Sequence, residues 1–252
     1  MMNGRRIGGS AVGSVLLLAA FLQRAIASAQ DPTPVPENRP HTAADRMPVY
    51  KPPAVGMPAS TTGGAPRGMR VSTLLAPKHV GLTTQAQPTL YWHLAQPIAG
   101  TVEFALAESG QKEPAWRVAL PSSPKVGLHA VRLNEYQIRL RPGAQYEWSI
   151  EAAPPPGSRD EPTIARAAIR RIEASAQLTR RLRHAPTQEA VFIYAAAGVW
   201  YDALDAVSQA IAAHPDAPML RAQRAALLTE VGLSDLLVAD GASVPLPPTP
   251  PQ

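Results

Sequence analysis

Residues 140–150 read Leu140-Arg141-Pro142-Gly143-Ala144-Gln145-Tyr146-Glu147-Trp148-Ser149-Ile150, and this stretch decides the fold. Pro142-Gly143 is a turn signal, because proline presets one backbone angle and glycine accepts the left-handed conformation that many tight turns require. Directly after it Tyr146, Trp148 and Ile150 alternate with Gln145, Glu147 and Ser149, the period of a strand with one buried face. Towards the N-terminus the same alternation recurs. Leu90, Trp92 and Leu94 alternate with Tyr91 and His93; Val102, Phe104 and Leu106 with Thr101, Glu103 and Ala105; Trp116, Val118 and Leu120 with Ala115, Arg117 and Ala119. Val131 and Leu133, then Ile138 and Leu140, give two shorter runs. With Pro, Gly or Ser at each boundary, seven or so short strands between Arg70 and Ala153 predict an antiparallel sandwich.

The spacing of Leu140, Pro142, Gly143 and Tyr146 resembles the tyrosine corner of Greek-key sandwiches, in which the tyrosine hydroxyl bonds back to the upstream backbone. The expected fold class is therefore α+β, with an antiparallel immunoglobulin-like or fibronectin-like β-sandwich over residues 70–173. Such corners occur in domains of many functions and imply no activity. Ile164 to Ile172 stays open between two readings: Ile164, Ala168 and Ile172 lie at helical spacing, whereas a last strand would turn its arginines outward.

From Ala174 to about Ala239 alanine and leucine dominate, with apolar positions three and four apart, so helices are expected over 174–240. Tyr194, Gly198, Ala203, Ala210 and Pro215 are spaced as in one tetratricopeptide unit, where small residues let two helices approach and proline stops the second. Gly232 follows Gly198 at that family's repeat period of about 34 residues. Leu228 stands in place of Tyr194, and Leu236 and Leu237 in place of Asp202 and Ala203, which predicts a capping helix pair rather than a second working repeat.

Residues 1–29 read as a secretory leader: Arg5 and Arg6, an apolar run from Val12 to Leu22, and Ala27-Ser28-Ala29 before a cleavage site between Ala29 and Gln30. The run is shorter than the roughly 20 residues of a membrane-spanning helix. The expected location is thus exported and periplasmic. The leader carries three arginines and no acids, so its removal takes the formal charge from +5 to +2. Residues 30–69 are rich in proline without hydrophobic periodicity, the composition of a disordered linker, and residues 241–252 form a proline-rich tail. The absence of cysteine excludes disulfides, thiolate chemistry and Cys-ligated metals.

The search for chemistry yields no catalytic residue, metal ligand set or cofactor. The six histidines are scattered singly, without the one-turn pairing and intervening glutamate of a zincin. Neither a G-x-S-x-G elbow nor an S-x-x-K pair supplies an activated serine. Trp200, Tyr201 and Asp202 open a helix after a glycine. They are candidates for a partner groove with Asp202 on its rim, the other reading being aromatics buried between helix and sandwich. Arg170, Arg171, Arg180 and Arg181 belong to a basic run that suits an anionic surface, the favoured reading being a charged solvent-exposed face, and export argues against nucleic acid. The expected function is a non-catalytic protein-interaction or scaffold module whose partner is another envelope protein, with contact to the membrane surface also open. The alternatives are carbohydrate or envelope-polymer binding through rings such as Tyr91 or Trp116, and an enzyme of unrecognised type.

Tyr50-Lys51-Pro52-Pro53, Gly81-Leu82-Thr83, Pro88-Thr89-Leu90-Tyr91-Trp92, the segment ending in Trp148, and Gly198-Val199-Trp200-Tyr201-Asp202-Ala203-Leu204 together resemble an exported bacterial family, domain of unknown function 928. The resemblance runs from about residue 49 to 239. It implies that Ile164 to Ile172 is a closing strand, and it brings no activity to transfer.

Overall fold

The computed structural model describes residues 46–53, 72–111, 113–120, 124–159 and 161–236. The expected leader and its cleavage site, most of the expected linker, and the tail over 241–252 lie outside the described residues. The chain is α+β, with two sheets followed by four α-helices among the described residues.

Most of the alternating stretches become strands. β1 (Ser72–Leu74), β3 (Thr89–Leu94) and β6 (Gly127–Arg132) form a three-stranded sheet in the order β1-β3-β6. β2 (Gly81–Thr83), β4 (Thr101–Glu108), β5 (Trp116–Ala119), β7 (Gln145–Ala153) and β8 (Thr163–Arg171) form a second sheet in the order β2-β8-β7-β4-β5. Every pairing is antiparallel except that of β2 with β8. In register, Leu106 faces Trp148 and Phe104 faces Ile150 across β4 and β7, and all four are fully buried. Burial of an apolar side chain of this kind stabilises by roughly 1.5–3 kcal/mol, which is why the period of two sets the register.

Ile164 to Ile172 resolves as the strand β8. Ala167, Ala168 and Ile169 are buried in succession, so both faces of this strand are covered and a simple inside-outside alternation is lost. Ile138 and Leu140, expected in a strand, instead leave a tight reversal: Gln137 holds a positive φ of 56°, and the Ile138 N–H donates to the Leu133 carbonyl at 3.0 Å. Both side chains are buried all the same.

At the turn before β7 the Arg141 N–H donates to the Tyr146 hydroxyl at 3.1 Å, the bond that the Leu140 to Tyr146 spacing calls for. The Gly143 N–H donates to the Arg171 carbonyl at 2.8 Å, and the Arg171 guanidinium donates to the Leu140 carbonyl at 2.7 Å. The turn is thus tied to the end of β8. Tyr146→Phe should cost about 1 kcal/mol, the net worth of one such bond, read as a lower urea midpoint with unchanged slope.

The helices are α1 (Ala176–His184), α2 (Ala190–Ala196), α3 (Trp200–Ala213) and α4 (Pro218–Glu230). The Ser175 side chain caps α1 by accepting from the Leu178 N–H at 3.1 Å. Gly198, at φ +74°, ends α2, and the Val199 N–H returns to the Tyr194 carbonyl at 3.0 Å. Proline occupies the first position of α4, where its missing N–H costs nothing. One hydrophobic core joins the sheets to the helices: Phe104, Tyr146 and Trp148 belong to the same cluster as Trp200, Tyr201, Leu204 and Leu228.

Candidate functional site

The junction between helices and sheets is built from the start of α3. Trp200 is fully buried, and its indole N–H donates to the Leu75 carbonyl at 2.9 Å. The Tyr201 hydroxyl accepts from the Trp148 indole at 2.9 Å and donates to the Ala168 carbonyl at 3.1 Å, which ties α3 to β7 and β8. Gly81 gives this ring its space, since a Cβ there would lie 2.6 Å from Tyr201 Cε2. Asp202 is only 5% exposed and accepts from the Thr83 hydroxyl at 2.5 Å, the Thr84 N–H at 3.0 Å and the Thr84 hydroxyl. Burial pushes its carboxyl above the ordinary aspartate range, and the threonine donors pull the other way.

The expectation that Trp200, Tyr201 and Asp202 face a partner groove is corrected by this geometry. A large ring at the first turn of an apolar helix gains more by filling the space above a sheet than by facing water. Tyr91 and Trp116, candidates for glycan stacking, are also not exposed rings: Tyr91 is buried with its hydroxyl donating to Asp205 at 2.8 Å, and Trp116 is half-buried against Tyr146. The four arginines divide. Arg170 and Arg171 bond to the Gly143 and Leu140 carbonyls, while Arg180 and Arg181 are exposed on α1.

What occupies the edge of the junction is a segment that sequence reading placed in the disordered linker. Residues 46–53 form an extended strap with Pro48 and Tyr50 turned inward and Met47 and Val49 outward. A single guanidinium nitrogen of Arg46, Nη2, donates to both Glu189 carboxylate oxygens, at 2.9 and 2.7 Å, and the guanidinium lies 4.9 Å over the Phe192 ring. The Tyr50 ring stacks on His79, meets Trp200 edge-on at 5.1 Å, and shares a 2.9 Å hydrogen bond with His79 Nε2. Burial lowers the proton affinity of His79, so the ring against Tyr50 is held neutral. The Lys51 N–H donates to the Ala195 carbonyl at 3.1 Å.

Gly198 is required twice. Its φ is left-handed, and a Cβ would stand 2.7 Å from the Lys51 carbonyl oxygen. Gly198→Ala should therefore cost about 1–2 kcal/mol from backbone strain alone and release the strap, seen as faster tryptic cleavage after Arg46.

Among the described residues no group of three or more His, Asp or Glu is placed to hold a metal ion. No described helix is long and apolar enough to cross a membrane. A cleft among Leu75, His93, Leu128, Arg224, Leu228 and Leu236 encloses about 10 Å³, room for roughly one water molecule.

A family model described as Domain of Unknown Function (DUF928) matches residues 61–240, most of the chain and every strand and α-helix described above. The chain belongs to this family. The strap of the DUF928 chain lies just ahead of the matched span. No curated protein matches the DUF928 chain. Among solved structures it is similar to astrotactin-2, described as a conserved vertebrate-specific and perforin-like membrane protein involved in neuronal development, at 10% identity and a TM-score of 0.26. The match covers 64% of this chain and 35% of that one, and a likeness this low carries no argument.

Proposed function

We propose that the protein is exported to the envelope and works there as a non-catalytic interaction or scaffold module, in which an immunoglobulin-like sandwich carries a small tetratricopeptide-like helical unit. The observation that carries this reading is the strap. The helices and the β1–β2 connection hold a proline-containing segment by an ion pair, an aromatic box and a backbone hydrogen bond, which are the elements by which folded surfaces recognise peptides. Export is supported by the leader composition of residues 1–29.

The test has two parts. Mass spectrometry of the protein from the producing cell should find a mature chain beginning at Gln30; a chain retaining Met1 would sink the export reading. A photoreactive residue replacing the exposed Val49 should capture one discrete envelope protein, and the capture should be lost with Tyr50→Ala. If no discrete product forms, the interaction reading fails.

A further inference from the structure

We infer that the groove formed by Glu189, Phe192, Ala195, His79 and Trp200 accepts the Arg46–Pro53 strap of a second copy of this chain, linking copies by exchanged straps. This rests on the reading of the protein as an interaction module and names its partner. Three chemically distinct subsites fix the direction and register of the strap. The Glu189 carboxylate beside the Phe192 ring takes the guanidinium of Arg46, the box of His79 and Trp200 takes Tyr50, and the Ala195 carbonyl takes the N–H of Lys51. Arg46 and Tyr50 are four residues apart in an extended segment, so both must be present at that spacing. The segment with this sequence is the chain's own.

These contacts join residues far apart along the chain: 143 positions separate Arg46 from Glu189 and 29 separate Tyr50 from His79. They are therefore the same contacts whether strap and groove belong to one copy or two, and exchange sacrifices none of them. In the sequence 18 residues, 54–71, separate the strap from β1, a chain length of at most roughly 60 Å, which permits a strap to reach a neighbouring copy. A chain's own strap competes for its groove, so exchange grows with protein concentration.

A charge exchange tests this in the full mature chain. Arg46→Glu places two carboxylates at the ion-pair site of one variant, and Glu189→Lys places two cations there in the other. Each alone disfavours its own strap, whereas in a mixture both straps meet an opposite charge on the other copy. Sedimentation analysis should then find about tenfold more dimer in the mixture than in either variant alone. A mixture that stays monomeric, with both variants melting cooperatively, would overturn the exchange. Should either variant fail to fold, native mass spectrometry of heavy- and light-isotope wild-type chains gives the same answer: mixed dimers should rise with concentration and vanish with Tyr50→Ala. Their absence up to millimolar concentration would overturn the proposal. Absence of dimers alongside a Val49 crosslink to a different envelope protein would overturn exchange and leave the interaction reading standing.

Discussion

Tyr201→Ala is expected to destabilise the protein by about 3–5 kcal/mol, the range for truncating a fully buried aromatic side chain. Domains of this size are stable by only about 5–15 kcal/mol in total, so the variant should unfold at far lower urea or be recovered in small yield. Two effects combine. The ring fills the space above Gly81, which has no side chain to close it. The hydroxyl is the common partner of the Trp148 indole and the Ala168 carbonyl, and its loss leaves a buried donor and a buried acceptor unmatched. Tyr201→Phe separates the two effects: it keeps the packing, removes the bonds, and should cost about 1–3 kcal/mol. A loss below about 1 kcal/mol for the alanine variant would mean that the helices do not share the core of the sheets.

A part was legible in the sequence where its own residue pattern carries its burial or where its partners lie close along the chain. β4 and β7 read correctly because each has one buried face and pairs in a register that Phe104, Leu106, Trp148 and Ile150 enforce together. The Arg141 to Tyr146 bond was legible because it closes over five residues. In β3 the residues Tyr91, Trp92 and His93 are all buried, and alternation could not show that Tyr91 would lie beneath Asp205 of α3. Ile138 and Leu140 misled because buried residues two apart also arise in a turn whose backbone bonds are made elsewhere, here by the Leu140 N–H to the Ala86 carbonyl.

The candidate site was legible as residues and not as a role. Trp200, Tyr201 and Asp202 stood out by composition, but which way a helix turns its first residues depends on what packs against it. Gly81-Leu82-Thr83 carried the missing signal, a glycine able to admit a ring and a threonine able to meet a buried carboxylate, in a segment 119 positions from Asp202. The strap was least legible. Proline-rich segments with no periodicity read as linker whether or not a groove holds them, and this groove is assembled from His79, Glu189, Ala195 and Trp200 only after folding.

Asp202→Ala should cost about 2–4 kcal/mol, because it strips three donors of the buried acceptor they share. The Thr84 N–H cannot rotate to a new partner, and both threonine hydroxyls are aimed at the same carboxylate. Asp202→Asn is the sharper variant. It removes the cost of burying a charge but presents an NH₂ where an acceptor is needed, so a loss of about 1–3 kcal/mol is expected at neutral pH. The proton supplies a second readout. Burial raises the folded carboxyl above its unfolded value, so the folded protein binds this proton more readily than the unfolded chain. The stability that this group contributes is fully present below the ordinary aspartate value of about pH 4 and is lost as pH rises through the raised folded value. Urea unfolding of wild type and Asp202→Asn should therefore show a larger advantage for wild type at low pH than at pH 7. An advantage that grows with pH would mean that the three donors outweigh desolvation and hold Asp202 as a carboxylate. An asparagine variant as stable as wild type throughout would mean that bonding and burial cancel, leaving Trp200 and Tyr201 to hold the helices on the sheets.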